Sequence, residues 1–128
     1  MQLGIKKGIN MALKVLELPK SFTVSRRRWL RGDLHDSSLH RKSDHKQCCL
    51  GFLAREAGCS LNAIKGLGTP SELKDIRLKK LVDVNGYDTP TCDKLIEVND
   101  DPSFSDKIRE KKLKSLFKRI GVKVNFVP

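Results

Sequence analysis

Apolar positions along the chain change period every ten to fifteen residues, which predicts many short elements rather than a few long ones. Residues 1–18 alternate between apolar and basic positions and end at Pro19. Met11 offers a second start, so residues 1–18 read as an N-terminal extension attached to a single domain over 19–128. Ser21-Phe22-Thr23-Val24-Ser25 has the β-branched and aromatic content of a short strand. Residues 47–58 carry Cys49, Leu50, Phe52, Leu53 and Ala57 as a helical apolar stripe, and Gly58 stands at the C-cap position. Ser60 caps a further short helix over 61–67, limited by Gly66 and Gly68. Thr69-Pro70-Ser71-Glu72 has the form of another helix start. The Leu and Lys content of 76–84 favours helix, and Asn85-Gly86 reads as a turn.

Thr89-Pro90 places an N-cap before a proline at the first helical position, predicting a helix through about Val98. Cys92, Leu95 and Ile96 form its buried face. Asn99-Asp100-Asp101-Pro102 then reads as a solvated stop. Ser105 caps the last helix, 106–120, with Ile108, Leu113, Leu116, Phe117 and Ile120 to one side. Lys107, Lys111, Lys114 and Lys118 occupy its other faces. After Gly121, Val122, Val124 and Phe126 alternate with Lys123 and Asn125, the pattern of a half-buried strand. This strand is expected to pair with Phe22–Val24 and tie the two ends together. The expected fold is α+β, with four or five short helices packed on a small sheet that includes the C-terminal strand.

Composition supports one modest core. The chain has 128 residues, 38% of them hydrophobic, and its aromatics are five Phe, one Tyr and one Trp. Leu, Ile and Val must therefore fill most of the interior. Charge changes the picture more. The formal net charge is +11, and it is segmented. Residues 1–80 hold 17 basic and 7 acidic side chains, 81–102 hold 1 and 6, and 103–128 hold 8 and 2. Two basic blocks around an acidic island predict a defined charged face, with nucleic acid or an acidic protein as partner. No apolar run approaches the roughly 20 residues of a membrane span. With no signal-peptide pattern either, a cytoplasmic protein without membrane contact is expected. Its four cysteines then read as reduced, buried hydrophobes.

Several local patterns are candidates for function. Residues 53–67 have the form of a helix-turn-helix: Ala54 where two helices cross, Gly58 at the turn, Ile64 and Leu67 buried. Asn62 and Lys65 would face the major groove. The alternative is a helix hairpin in the core. Arg26, Arg27, Arg28 and Arg31 have the chemistry for phosphate contact, and Trp29 could stack on a base or anchor the core. Lys107, Lys111, Lys114 and Lys118 complete the candidate binding residues. Residues 33–46 are polar, hold all three histidines and read as an exposed loop. His35, His40, His45 and Cys48 invite a zinc reading, but there is no Cys-x-x-Cys and the histidine spacing fixes no geometry. No Walker loop, nucleophile elbow or paired-carboxylate pattern is present. The expectation is a binding protein rather than an enzyme, without metal or cofactor.

Trp29-Leu30-Arg31-Gly32, Cys48-Cys49-Leu50-Gly51-Phe52, Asn99-Asp100-Asp101, Arg109-Glu110-Lys111-Lys112 and the closing Gly121-Val122-Lys123-Val124-Asn125-Phe126 together resemble a family of small bacteriophage and prophage proteins of uncharacterised function. The resemblance spans roughly residues 18–127 and brings no activity or site. It implies a phage context, in which a small non-catalytic protein commonly binds and inhibits a host factor such as a defence complex.

Overall fold

Chain order in the computed structural model, which describes residues 13–128, is β1 (Lys14–Leu16), β2 (Ser21–Ser25), α1 (Cys49–Ala57), α2 (Leu61–Ile64), β3 (Ile76–Leu78), α3 (Pro90–Asp100), α4 (Asp106–Arg119) and β4 (Lys123–Val127). Single 3-10 turns stand at Arg26–Arg28 and Pro70–Glu72. The fold is α+β: the described residues form four helices with two parallel strand pairs, β2–β4 and β1–β3. The terminal strand finds the partner that its alternation predicts. Phe22 lies opposite Val124 and Val24 opposite Phe126, so the apolar residues of both strands share the core-facing side. There Phe22 meets Phe117 of α4 edge to face, with ring centroids 5.1 Å apart. Leu50 and Leu53 of α1, Leu95 of α3 and Leu113 of α4 fill the rest of the same core.

Helix ends follow the local chemistry. The Ser60, Thr89 and Ser105 side chains accept from the amides of Ala63, Cys92 and Ile108, three residues on in each case. Gly51 lies within α1 against the carbonyl of Leu39, where a Cβ would sit 1.9 Å from that oxygen. Only glycine permits that approach, and it lets Leu39 enter the core fully buried.

Four expectations need correction. The helix expected over 61–67 stops at Ile64, because Lys65 is extended and Gly66 has φ +77°. The segment 76–84 is not helical: β3 pairs with β1, and positive φ at Asp75 and Lys80 breaks any helix there. Buried Leu78, Leu81 and Val82 imitate a helical face because a tight turn follows the strand, with Leu81 and Val82 both donating to the Leu78 carbonyl. The polar loop 33–46 is not wholly exposed, since Ser38, Leu39 and His40 are buried. Asn99 and Asp100 are also buried, inside α3, rather than forming a solvated stop. At the N-terminus, Lys14–Leu16 joins the fold as β1, while residues 1–12 of the expected extension lie outside the described residues.

Asn99 is the polar centre of the core. Its Oδ1 accepts from Trp29 Nε1 at 2.9 Å and from the Cys49 amide at 3.1 Å. Its Nδ2 donates to the Leu30 carbonyl at 3.0 Å and to Asp100 Oδ1 at 2.9 Å. Its own carbonyl receives the Gly32 amide. Arg109 of α4, only 3% exposed, lies beside it. The Arg109 Nη1 is within reach of the carbonyls of Val98, Asn99 and Asp101, and Nη2 donates to that of Phe104. A cation on the open carbonyls of a helix C-terminus satisfies them and opposes the negative end of the helix dipole. Asn99→Ala would orphan the Trp29 indole N–H and the Cys49 amide together. At about 1–3 kcal/mol for each buried group left unpaired, urea denaturation should record a loss of about 3–5 kcal/mol. A loss below about 1 kcal/mol would exclude Asn99 as the organising contact.

Candidate nucleic-acid interface

Helix α4 is amphipathic in charge as well as in hydropathy. Arg109, Leu113, Leu116 and Phe117 face inward. Lys107, Lys111, Lys114 and Lys118 follow one another at intervals of four, three and four residues, which keeps them in one narrow sector of the helix. All four are exposed. The row extends about 16 Å at 1.5 Å per residue. Among the described residues, none of the four lies within ion-pair distance of a carboxylate.

The absence of local neutralisation has an identifiable cause. Helix α4 carries two acids, Asp106 and Glu110. Arg26 grips Glu110 with both Nε and Nη2, at 2.7 and 2.8 Å. Arg31 grips Asp106 in the same two-point manner, at 3.0 and 2.8 Å, and its guanidinium lies 4.7 Å from the Trp29 ring centroid. The Arg31 contact holds the Asp106 carboxyl below its usual range. Both acids are thus matched by arginines from the 26–31 segment, and the lysine row keeps its full charge.

The row leads into a groove of about 490 Å³ between α4 and β4. Lys114 and Lys118 line it from the helix, residues 121–125 from the turn and the start of β4, and Lys20 from the segment before β2. No acidic side chain lines it. Lys114 Nζ stands 5.9 Å from the Phe126 ring centroid. Lys20 and Lys123 are additions to the residues expected from sequence. Lys123 was readable as an exposed position of the alternating strand, whereas Lys20 enters only once β2 and β4 are paired.

The other expected residues are dispersed. Arg26 and Arg31 are held in the ion pairs to α4 and support the face from behind. Arg27 and Arg28 are exposed and have no carboxylate within ion-pair distance among the described residues. Asn62 and Lys65 are exposed, but the helix that would carry them into a groove has one turn, Leu61–Ile64. That is too short for a recognition helix lying along base edges. Trp29 is 1% exposed and stands in the core, so it offers no stacking surface.

The histidines and cysteines do not assemble. Among the described residues, no three His, Cys, Asp or Glu side chains meet with metal-binding geometry. His40 Nε2 lies 3.2 Å from His45 Nδ1, and burial together with neighbouring His45 and Lys65 lowers the His40 pKa. Nearby, Arg41 gathers Asp33, Asp36 and Asp44 into one ion-pair cluster that braces the 33–46 loop. All four thiols are buried. Burial pushes Cys48 up to about 12 and raises Cys49, Cys59 and Cys92 as well. A thiol held in that state is a poor nucleophile at neutral pH. Titration of the native protein with a disulfide reagent at pH 8 should therefore modify the thiols slowly, and all four should react at once in denaturant. Rapid reaction of Cys48 or Cys49 in the folded chain would contradict their burial.

Among the described residues, no helix is long and apolar enough to cross a membrane. Comparison of the chain with protein-family models, with curated proteins and with solved structures returns no match.

Proposed function

We propose that the protein binds nucleic acid through the phosphate backbone, using the outer face of α4. The observation that carries this reading is the lysine row Lys107, Lys111, Lys114 and Lys118, free of carboxylates because Arg26 and Arg31 engage Glu110 and Asp106. A line of cations on one helix face releases condensed counterions from a polyanion, which favours binding without regard to sequence. The aromatic inventory points the same way. Of the seven aromatic residues, Tyr87 alone is well exposed, and it belongs to the acidic stretch 81–102. The aromatic rings beside the α4 lysines, Phe104 and Phe126, are half-buried, which favours phosphate contact over base stacking.

A second reading follows from the phage resemblance: the same positive face occupies an acidic surface of a host protein and inhibits it. One observation favours it, the strand edge that borders the groove, since a free edge serves protein partners rather than nucleic acid. A pull-down after nuclease treatment separates the two readings. A stoichiometric host protein supports the second, and recovery of nucleic acid alone supports the first.

The direct test of the first reading is fluorescence anisotropy with a 20-base-pair DNA duplex across 25–200 mM salt. Log affinity should fall with log salt at a slope of about −3 to −4, as expected for roughly four phosphates neutralised. The double variant Lys107→Gln, Lys111→Gln should reduce that slope by about 2. Undetectable binding at the lowest salt, or an unchanged slope in the variant, would refute the assignment.

A further inference from the structure

We propose that the outer edge of β4 is a docking site for an acidic protein segment in extended conformation, which joins the β2–β4 pair as a third strand. The phase of the existing ladder identifies the free groups. The Lys123 amide donates to the Lys20 carbonyl at 2.9 Å. In a parallel pair the amides of Lys123, Asn125 and Val127 then face β2, and those of Val124 and Phe126 face away. Among the described residues, neither outward amide has a backbone or side-chain acceptor, and the Val124 carbonyl has no donor. Unpaired strand groups of this kind are a template for another strand.

The edge is recessed rather than flat, and Val124 itself is only 3% exposed, so an entering segment must seat within the groove to reach it. Residues 121–125 form one wall of the 490 Å³ groove, and Lys114 and Lys118 form the other. Its charge selects the occupant. A second copy of β4 would bring Lys123 and the two α4 lysines against their own counterparts, so like-charge repulsion guards the edge against self-pairing. The first twelve residues of the chain carry Lys6 and Lys7 and no acid, so they too are mismatched in sign. An extended segment with acidic side chains at alternate positions satisfies both requirements: its backbone pairs with Val124 and Phe126, and its carboxylates meet Lys20, Lys114, Lys118 and Lys123. This inference rests on the second reading above; it shares Lys114 and Lys118 with the nucleic-acid face, whereas Lys107 and Lys111 lie outside the groove and report on phosphate contact separately.

The test uses the full chain, isotope-labelled for amide exchange, and a capped nine-residue peptide of alternating Val and Glu as probe. Saturating peptide should slow exchange of the Val124 and Phe126 amides at least tenfold. N-methylation of alternate peptide nitrogens, replacement of its Glu by Lys, or the exposed-site double variant Lys20→Glu, Lys123→Glu should each weaken binding at least tenfold. Unchanged exchange at those two amides under millimolar peptide would overturn the proposal. So would equal binding of the N-methylated peptide, or protection of the same amides by self-association alone. Protection by a DNA duplex but not by the peptide would reassign the groove to phosphate. Each of these results leaves the salt dependence of the Lys107 and Lys111 contacts as a separate question.

Discussion

The buried carboxamide of Asn99 is the contact on which the arrangement of the helices depends. One side chain accepts from Trp29 and from the start of α1 while donating to Leu30. A buried amide must be fully paired, and the interior offers no water to replace a lost partner. The three segments are consequently held in one relative position. Arg109 extends the constraint to α4 by binding the carbonyls at the end of α3. Stretches 29–32, 48–52 and 99–101 all meet at this point.

The surface charge follows from that interior geometry. Trp29 is fixed by its bond to Asn99, so Arg26 and Arg31 on either side of it reach α4 at set positions. There they take up the two carboxylates of the helix. Arg26 and Arg31 are thereby occupied by the acids of α4, while Arg27, Arg28 and the lysines of α4 stay exposed. These ion pairs are partly exposed, so their contribution to stability is modest, and larger for the two-point Arg26–Glu110 contact than for a fully solvated pair. Their consequence lies in which charges they leave without a local partner.

Much of the fold was legible because local rules and tertiary packing agree. The alternation of Val122, Val124 and Phe126 identified β4 and its partner β2, and Ser60, Thr89 and Ser105 marked three helix starts. The failures arose where long-range contacts override local pattern. Leu78, Leu81 and Val82 have helical spacing, yet pairing of β3 with β1 makes them a strand end and a turn. Asn99-Asp100-Asp101-Pro102 has the composition of a solvated stop, but the partners that bury Asn99 lie 50 to 70 residues away in sequence. The lysines of α4 were visible as a basic block. Their freedom from ion pairs was not, because the pairings Arg26–Glu110 and Arg31–Asp106 span 84 and 75 residues.

On the proposed reading, the face of α4 left positive by those pairings meets a polyanion. Mapping amide chemical shifts during titration with a DNA duplex at low salt tests it most directly. The largest changes should fall on Lys107, Lys111, Lys114 and Lys118 and spread into the groove at Lys123, while the 83–88 turn stays still. Changes centred on that acidic turn or on Asn62 and Lys65, with α4 unaffected, would contradict it.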